Sequence, residues 1–380
     1  MVPFQEEHKI FKKSVSSFVE KELRPHVEEW EAQGFTPRSI WKRCGELGFL
    51  GVTYSSDYGG ANADHTYSYI LNLELGKCGS PGVALGLSVQ CDMATPALAK
   101  HGSEFLKKTY LVPAIAGDMI CSIAVTEPSH GSDVAAIDTK AVKDGNDYVI
   151  NGRKMFITNG TQADFLTVLV RTTPGTGYQG MSLFIIPTKT PGVSTGKRLK
   201  KTCFPSSDTA EIILDNVRVS KDHLIGQEGK GFIYQMEQFQ FERLAALALA
   251  IGGLKRGYDL TKKYIFERQA FGQFLYKHQV TRHKMAQMIS EITLLETMSF
   301  KCIQMANAGV DFTKDVSMLK LITAQTQQRI MEECVQIHGG YGLMSEYEVA
   351  RYFRDAKLLG IGGGSNEIMK EIICKMEGME

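Results

Sequence analysis

The chain has 380 residues, 43% of them hydrophobic, with 43 Lys and Arg against 42 Asp and Glu and a formal net charge of +1. That length holds two or three structural units around a large core, and the balanced charge lacks the basic excess with which nucleic-acid-binding proteins attract phosphates. The eight cysteines include no C-x-x-C pair, which argues against a disulfide framework or a thiolate metal centre and suits a reducing compartment.

From residue 4 to about 117 the pattern is helical. Ile10, Phe11, Val15, Phe18, Val19 and Leu23 recur at three- and four-residue spacings and form one apolar stripe. The charged start from Glu6 onward is unlike a signal peptide or an Arg-rich transit peptide. Gly59-Gly60 and Pro81-Gly82 mark loops between further helices. From residue 121 to about 223 the text changes to short strands. Residues 148–150 and 154–158 flank Asn151-Gly152, a two-residue hairpin signal. Residues 165–170, 182–186 and 210–214 read as further strands, and the turns between them predict a β barrel or sandwich. From about Gly231 the helical period returns, with Leu319, Ile322, Ile330, Cys334 and Ile337 along one helix face, and predicts a bundle. The expected division is a helical domain (1–120), a β-barrel domain (121–225) and a helical bundle (226–380). No apolar run approaches the roughly 18 residues that span a bilayer, so no membrane partner is expected.

Residues 124–136 read A-V-T-E-P-S-H-G-S-D-V-A-A. This turn brings Thr126, Ser132 and free backbone amides together, an arrangement that cradles an anionic or polar ligand edge, although surface turns carry Ser, Gly and Asp for local reasons too. Two further segments add weight. One runs Glu267-Arg268, Ala270-Phe271-Gly272 and His278-Gln279; the other runs Gln336-Ile337-His338-Gly339-Gly340-Tyr341-Gly342, followed by Arg354-Asp355-Ala356-Lys357.

Together these segments resemble the acyl-CoA dehydrogenase family of flavoproteins, and the resemblance extends over residues 4–376. It implies an α+β fold with an N-terminal helical domain, a central β-barrel domain and a C-terminal four-helix bundle. It also implies FAD between barrel and bundle. Val125, Thr126 and Ser132 would meet the ring and the pyrophosphate side. Phe156-Ile157-Thr158 stands where the family often has Trp-Ile-Thr, and the Phe keeps a stacking surface without the indole N–H. Arg268, Phe271 and Gln279 would reach the cofactor across a subunit boundary, opposite Gln336, Gly339 and Gly340, with Ser365 and Glu367 after the glycine loop. A site shared in this way implies an obligate homo-oligomer, a tetramer in most of the family.

The resemblance also poses a question about the base. Many members carry the catalytic carboxylate in the loop after the R-D-A-K run, where this chain has Gly363. A subset, long-chain and isovaleryl-like, places it on a bundle helix just before an arginine. Here Phe241-Glu242-Arg243-Leu244 matches that context, making Glu242 the expected base and Arg243 its orienting partner. Gly363 keeps its backbone N–H, which in the family binds the thioester oxygen. Three departures bear on the substrate. His130 replaces a small residue, Phe204-Pro205-Ser206 replaces a Gly-x-Arg pattern, and the run Lys197-Arg198 with Lys200-Lys201 offers cations to CoA phosphates or an acidic carrier protein.

The expected activity is FAD-dependent α,β-dehydrogenation of an acyl-CoA, with an electron-transfer flavoprotein or O₂ as acceptor. The alternative acts on an acyl or aminoacyl group tethered to a carrier protein. Flavin monooxygenases and nitroalkane oxidases share the fold but do not ask for the Glu242-Arg243 pair. A non-enzymatic flavin scaffold or nucleic-acid-associated protein is disfavoured by the balanced charge and the candidate base, and no metal is expected. The expected location is the bacterial cytoplasm or, with a transit peptide removed, the mitochondrial matrix.

Overall fold

A computed structural model describes residues 4–174 and 177–379. Eight α-helices come first: α1 (Glu6–Phe18), α2 (Val27–Gln33), α3 (Arg38–Glu46), α4 (His65–Leu75), α5 (Pro81–Ser88), α6 (Pro96–His101), α7 (Glu104–Leu106) and α8 (Val112–Ile115). A π-helical turn, Val89–Ala94, follows α5. Strands β1 (Cys121–Ala124), β2 (Lys140–Asp144), β3 (Asp147–Thr158), β4 (Phe165–Arg171), β5 (Met181–Pro187), β6 (Val193–Thr195), β7 (Thr209–Ser220) and β8 (Leu224–Ile225) come next. The chain then returns to helices: α9 (Gly231–Glu267), α10 (Gln279–Asn307), α11 (Thr313–His338), α12 (Glu348–Asp355) and α13 (Asn366–Met376). Strands β9 (Gln269–Ala270) and β10 (Gln273–Phe274) form a small hairpin between α9 and α10.

The eight-stranded sheet runs β6-β7-β3-β2-β4-β5-β8, with β1 parallel to β4. It is an open path and not the closed barrel expected from the sequence. Its ends, β6 and β8, have three and two residues and do not pair with each other. A strand presents alternate residues to opposite faces, and β4 uses both. Phe165 and Leu169 enter the core shared with Val89, Met93 and Leu98 of the helical domain. Leu166, Val168 and Val170 enter the core built with Ile150, Ile212 and Leu214 of the sheet. That two-sided burial is why residues 165–170 read as an apolar run broken only by Thr167, whose buried hydroxyl donates to the Ala94 carbonyl.

Two local expectations are corrected. Asn151-Gly152 is not a hairpin turn: β3 runs straight through it, and a register shift against β7 falls between Ile150 and Gly152. Asn151 Oδ1 accepts from the Asn216 amide at 2.8 Å, so this polar pair serves the bulge. The hairpin lies earlier, where Asp144 pairs with Asp147 across Gly145-Asn146. Pro81-Gly82 opens helix α5 instead of marking a loop, since a proline missing its N–H costs nothing in a first helical turn.

The bundle places the chemistry. Leu247, Ile251 and Leu254 of α9 pack with Ile292 and Leu295 of α10 and Leu319, Ile330 and Met331 of α11, each such burial worth roughly 1.5–3 kcal/mol. Ile322, expected on that face, is exposed, and so is Ile10 of the N-terminal stripe. Helices α4 and α9 cross at close range: a Cβ on Gly252 would stand 2.1 Å from the Leu73 carbonyl oxygen. Further along the same crossing His65 stacks on Phe241 at 4.5 Å. The register of α9 is thereby set one residue from Glu242.

The R-D-A-K run serves as a junction. Asp355 is buried and accepts from the Phe204 amide at 2.9 Å and from Arg354 at 2.7 Å, while Arg354 reaches Glu31 at 2.7 Å. Sheet loop, bundle and N-terminal domain meet there. The departing Phe204-Pro205-Ser206 loop belongs to this clasp, with Ser206 buried against Ser80 and Thr36. In the basic run, Arg198 donates to Gln33 O and Lys201 to Ser207 O, so both are engaged within the chain.

Candidate active site

Helix α9 carries Glu242 and Arg243 about three turns from its start. Adjacent helical positions diverge by about 100°, so the two side chains do different things. Arg243 is buried, donating from Nε to the Gly363 carbonyl at 3.2 Å and from Nη1 to Gln240 at 3.1 Å. Glu242 is half-buried, and its Oε2 is buried without a hydrogen-bond partner. Burial lifts its carboxyl to about 7, Arg243 opposing and Asp92 adding to the rise. A Cβ on Gly363 would meet Glu242 Oε1 as its nearest contact.

Beneath this pair lies a carboxylate that the sequence reading overlooked. Asp92, in the π-helical turn, accepts from Ser68 at 2.8 Å, Asn72 at 2.9 Å and Ser88 at 3.2 Å. Burial raises its pKa and the three donors pull it back. Gln238, one turn before Glu242, bonds the Met93 carbonyl and the Ala97 amide, tying α9 to the same turn.

The glycine loop before α13 faces Glu242. Gly363 and Gly364 have φ of +65° and +95°, the left-handed region that glycine enters without a Cβ penalty. Their carbonyls are taken, by Arg243 and by Lys320 of α11. The amides of Gly363, Gly364 and Ser365 have no acceptor among the described residues. Ser365 Oγ caps α13 through the Ile368 amide at 3.3 Å, and Glu367 is exposed in the first helical turn.

A second group gathers around the 124–136 turn. The Met155 amide donates to the Thr126 carbonyl at 2.8 Å, and Lys154 Nζ to the Val125 carbonyl at 2.9 Å. Ile157 is buried and Thr158 half-buried at the end of β3. Just before them Phe156 is 66% exposed with φ +62°, a strained conformation costing about 1–3 kcal/mol. It stands at a bulge in β3 that turns its ring out of the sheet. Glu127 closes the turn from inside, accepting from Lys154, the Asp138 and Thr139 amides and Thr139 Oγ1. Burial would raise Glu127, but Lys154 and these donors hold it below the usual carboxylate range. His130 folds onto the turn, 2.8 Å from Ser129 Oγ, and Ser132 is exposed.

The third group lies at the far end of α9. Arg268 stands 5.8 Å from the Tyr341 ring and has no carboxylate partner among the described residues. With Leu275, His338, Gly339, Gly340 and Tyr341 it lines an open concavity of about 410 Å³. Phe271 is 97% exposed, and Gln279, first residue of α10, and Gln336 are exposed as well. No hydrogen bond, ion pair or ring contact among the described residues joins these three groups to one another.

The side chains fit a flavin dinucleotide. Such a cofactor asks for an aromatic surface, donors at the ring edge and a cation with free backbone for the pyrophosphate. The outturned Phe156 ring, the Thr126 segment, and Arg268 beside Gly339-Gly340 supply them. An orphan guanidinium next to a glycine pair is suited to phosphate. Sequence reasoning missed Lys320, Asp92 and Lys154. The signal for Lys320 was there: it lies three positions before Thr323 and four after Val316 on the buried stripe of α11.

Comparison with known proteins gives a consistent answer. Models of the N-terminal, middle and C-terminal domains of acyl-CoA dehydrogenases match residues 5–118, 122–217 and 229–377. The mitochondrial long-chain specific acyl-CoA dehydrogenase of Sus scrofa is 36% identical over 98% of this chain and 86% of its own. A solved acyl-CoA dehydrogenase from Geobacillus kaustophilus is 40% identical with a TM-score of 0.96, covering 99% of both chains. The prolyl acyl carrier protein oxidase AnaB is 28% identical with a TM-score of 0.93, covering 99% of this chain and 100% of its own.

Proposed function

The chain belongs to the acyl-CoA dehydrogenase family, and from that premise we propose how its residues divide the reaction. It is an FAD-dependent oxidoreductase that converts an acyl-CoA to the trans-2-enoyl thioester. Glu242 takes the α-proton. A base works best when its pKa lies near the working pH, and burial brings this carboxyl to about 7. The carboxylate holds the proton after the C–H bond breaks, and Arg243, fixed by Gln240 and Gly363, keeps a positive charge beside it. As the proton leaves, negative charge moves to the thioester oxygen, where the Gly363 N–H serves as donor. FAD, when bound, supplies the acceptor for the β-hydride. Thr126, Phe156 and Arg268 would hold it, Arg268 together with Gly339 and Gly340 across a subunit boundary.

The observation that carries this reading is the buried, unpartnered Oε2 of Glu242, with Oε1 directed to Gly363. Anaerobic titration of the flavin-loaded protein with acyl-CoA thioesters tests it. Wild type loses its flavin absorbance, whereas Glu242→Gln retains flavin and does not bleach. Full activity in that variant would end the assignment.

The same titration with carrier-protein thioesters separates the second reading, which the likeness to a carrier-protein oxidase supports. Electrons pass on to an electron-transfer flavoprotein, with O₂ as the alternative acceptor. The assembly is a homotetramer, consistent with exposed Leu294, Ile322, Leu343 and Phe271 on and beside α10 and α11. No helix among the described residues is long and apolar enough to cross a membrane. All eight cysteines are free, which suits a bacterial cytoplasm or a mitochondrial matrix.

A further inference from the structure

Lys320 is 1% exposed, on the face of α11 that packs into the bundle beside Val316, Thr323 and Ala324. Among the described residues its ammonium forms no ion pair, and its hydrogen bond goes to the Gly364 carbonyl. A buried cation without a counter-charge is costly. Burial, together with repulsion from Arg243, lowers the ammonium to about 8, with Glu367 opposing. A methionine would occupy similar volume at no such cost, so packing gives no reason for a lysine here.

The loop supplies one. Within a planar trans peptide the C=O and the following N–H point in opposite directions. Arg243 on the Gly363 carbonyl therefore directs the Gly364 N–H away from α9, and Lys320 on the Gly364 carbonyl directs the Ser365 N–H away from α11. Those two amides and the Gly363 amide have no acceptor among the described residues. A pair of glycines has wide backbone freedom, and Arg243 alone fixes only one of the two carbonyls.

We propose that Lys320 is a positioning residue for the acyl-CoA reaction: with Arg243 it pins the Gly363 and Gly364 carbonyls and so fixes the backbone of the glycine loop, which carries the Gly363 N–H that serves the thioester oxygen. The inference rests on the roles proposed above for Glu242 and Gly363.

The experiment compares wild type with Lys320→Met and Lys320→Arg, each loaded with flavin and mixed anaerobically with an acyl-CoA that bleaches wild type. The limiting bleaching rate and the substrate dissociation constant are read separately, with flavin content, melting temperature and hydrogen exchange of residues 360–366. Lys320→Met is expected to keep flavin, melt no lower than wild type and bind thioester with little change. Its limiting rate should fall roughly a hundredfold, the scale of a small misplacement in an active site. Amide exchange in the loop should rise, and Lys320→Arg, which keeps a donor, should restore most of both. A wild-type limiting rate in Lys320→Met, or equal losses in the Met and Arg variants, overturns the inference. If Lys320→Met fails to retain flavin, Lys320→Gln decides: a reduced rate with raised loop exchange supports the inference, and wild-type values overturn it. Failure of wild type itself to bleach with any thioester would sink the Glu242 reading instead.

Discussion

A Cβ built on Gly363 stands 3.9 Å from Oε1 of Glu242, so a bundle helix and a loop more than a hundred residues later address one point. The two carboxylate positions used within the family are thus alternative ways to reach the same proton.

Swapping the carboxylate follows directly. In the Glu242→Gln background, Gly363→Glu should recover part of the lost bleaching, measured by anaerobic stopped flow. The loop should destabilise by about 1–2 kcal/mol, because a Cβ at φ +65° enters the left-handed region. No recovery in a double variant that keeps its flavin would separate the two positions.

Stability and pH should also part company at Glu242. Its folded pKa, about 7, lies above the ordinary carboxylate value. The folded state therefore holds a proton that the unfolded state has released, and stability falls as pH rises from about 4.5 to about 7. Glu242→Gln removes that slope. Thermal melts across the window should show the variant gaining on wild type as pH rises, while catalysis drops roughly 10²–10⁴-fold.

Asp92 pushes the Glu242 carboxyl upward. Asp92→Asn should move the pH midpoint of bleaching downward; with its oxygen in the Oδ2 place the new amide still accepts from Asn72 and Ser88, and its NH₂ meets the Ser68 hydroxyl, which can accept. An unmoved midpoint would show that the Asp92 charge does not reach the base.

The sequence revealed the three blocks and the strand runs 165–170 and 182–186. In each case local residue pattern and tertiary role agree: β4 carries apolar residues at both parities because both its faces are covered. Legibility failed where one residue's role depends on a distant backbone. Asn151-Gly152 looks like a turn until Asn216 arrives from β7. Ile322 matches the helical period of α11 yet points outward. Lys320 falls on the buried stripe of α11, but its role depends on the carbonyl it meets, 44 positions later. Asp92 likewise takes its meaning from helices α4 and α5, which no local motif brings together.

Phe156 offers a test with opposite signs. Replacing it by Gly relieves the positive φ and should stabilise the flavin-free protein by roughly 1 kcal/mol. The same change removes the aromatic surface and should weaken flavin retention. Melting temperature of the apoprotein and flavin content after gel filtration report the two effects separately.

Arg268→Lys keeps the charge but loses the planar fork. Flavin content should fall, and the oligomer should loosen as flavin is lost, because the cofactor bridges subunits in the proposed arrangement. Light scattering alongside flavin absorbance checks both, and a fully flavin-loaded variant would remove Arg268 from the cofactor site.

The most direct test of the whole account is the pH dependence of the limiting rate at which a saturating acyl-CoA bleaches the flavin of wild type under anaerobic conditions. A base at Glu242 predicts a rate that rises with pH through a midpoint near 7 and is abolished in Glu242→Gln. A profile that is flat from pH 5 to 9, or one that survives intact in that variant, would contradict it.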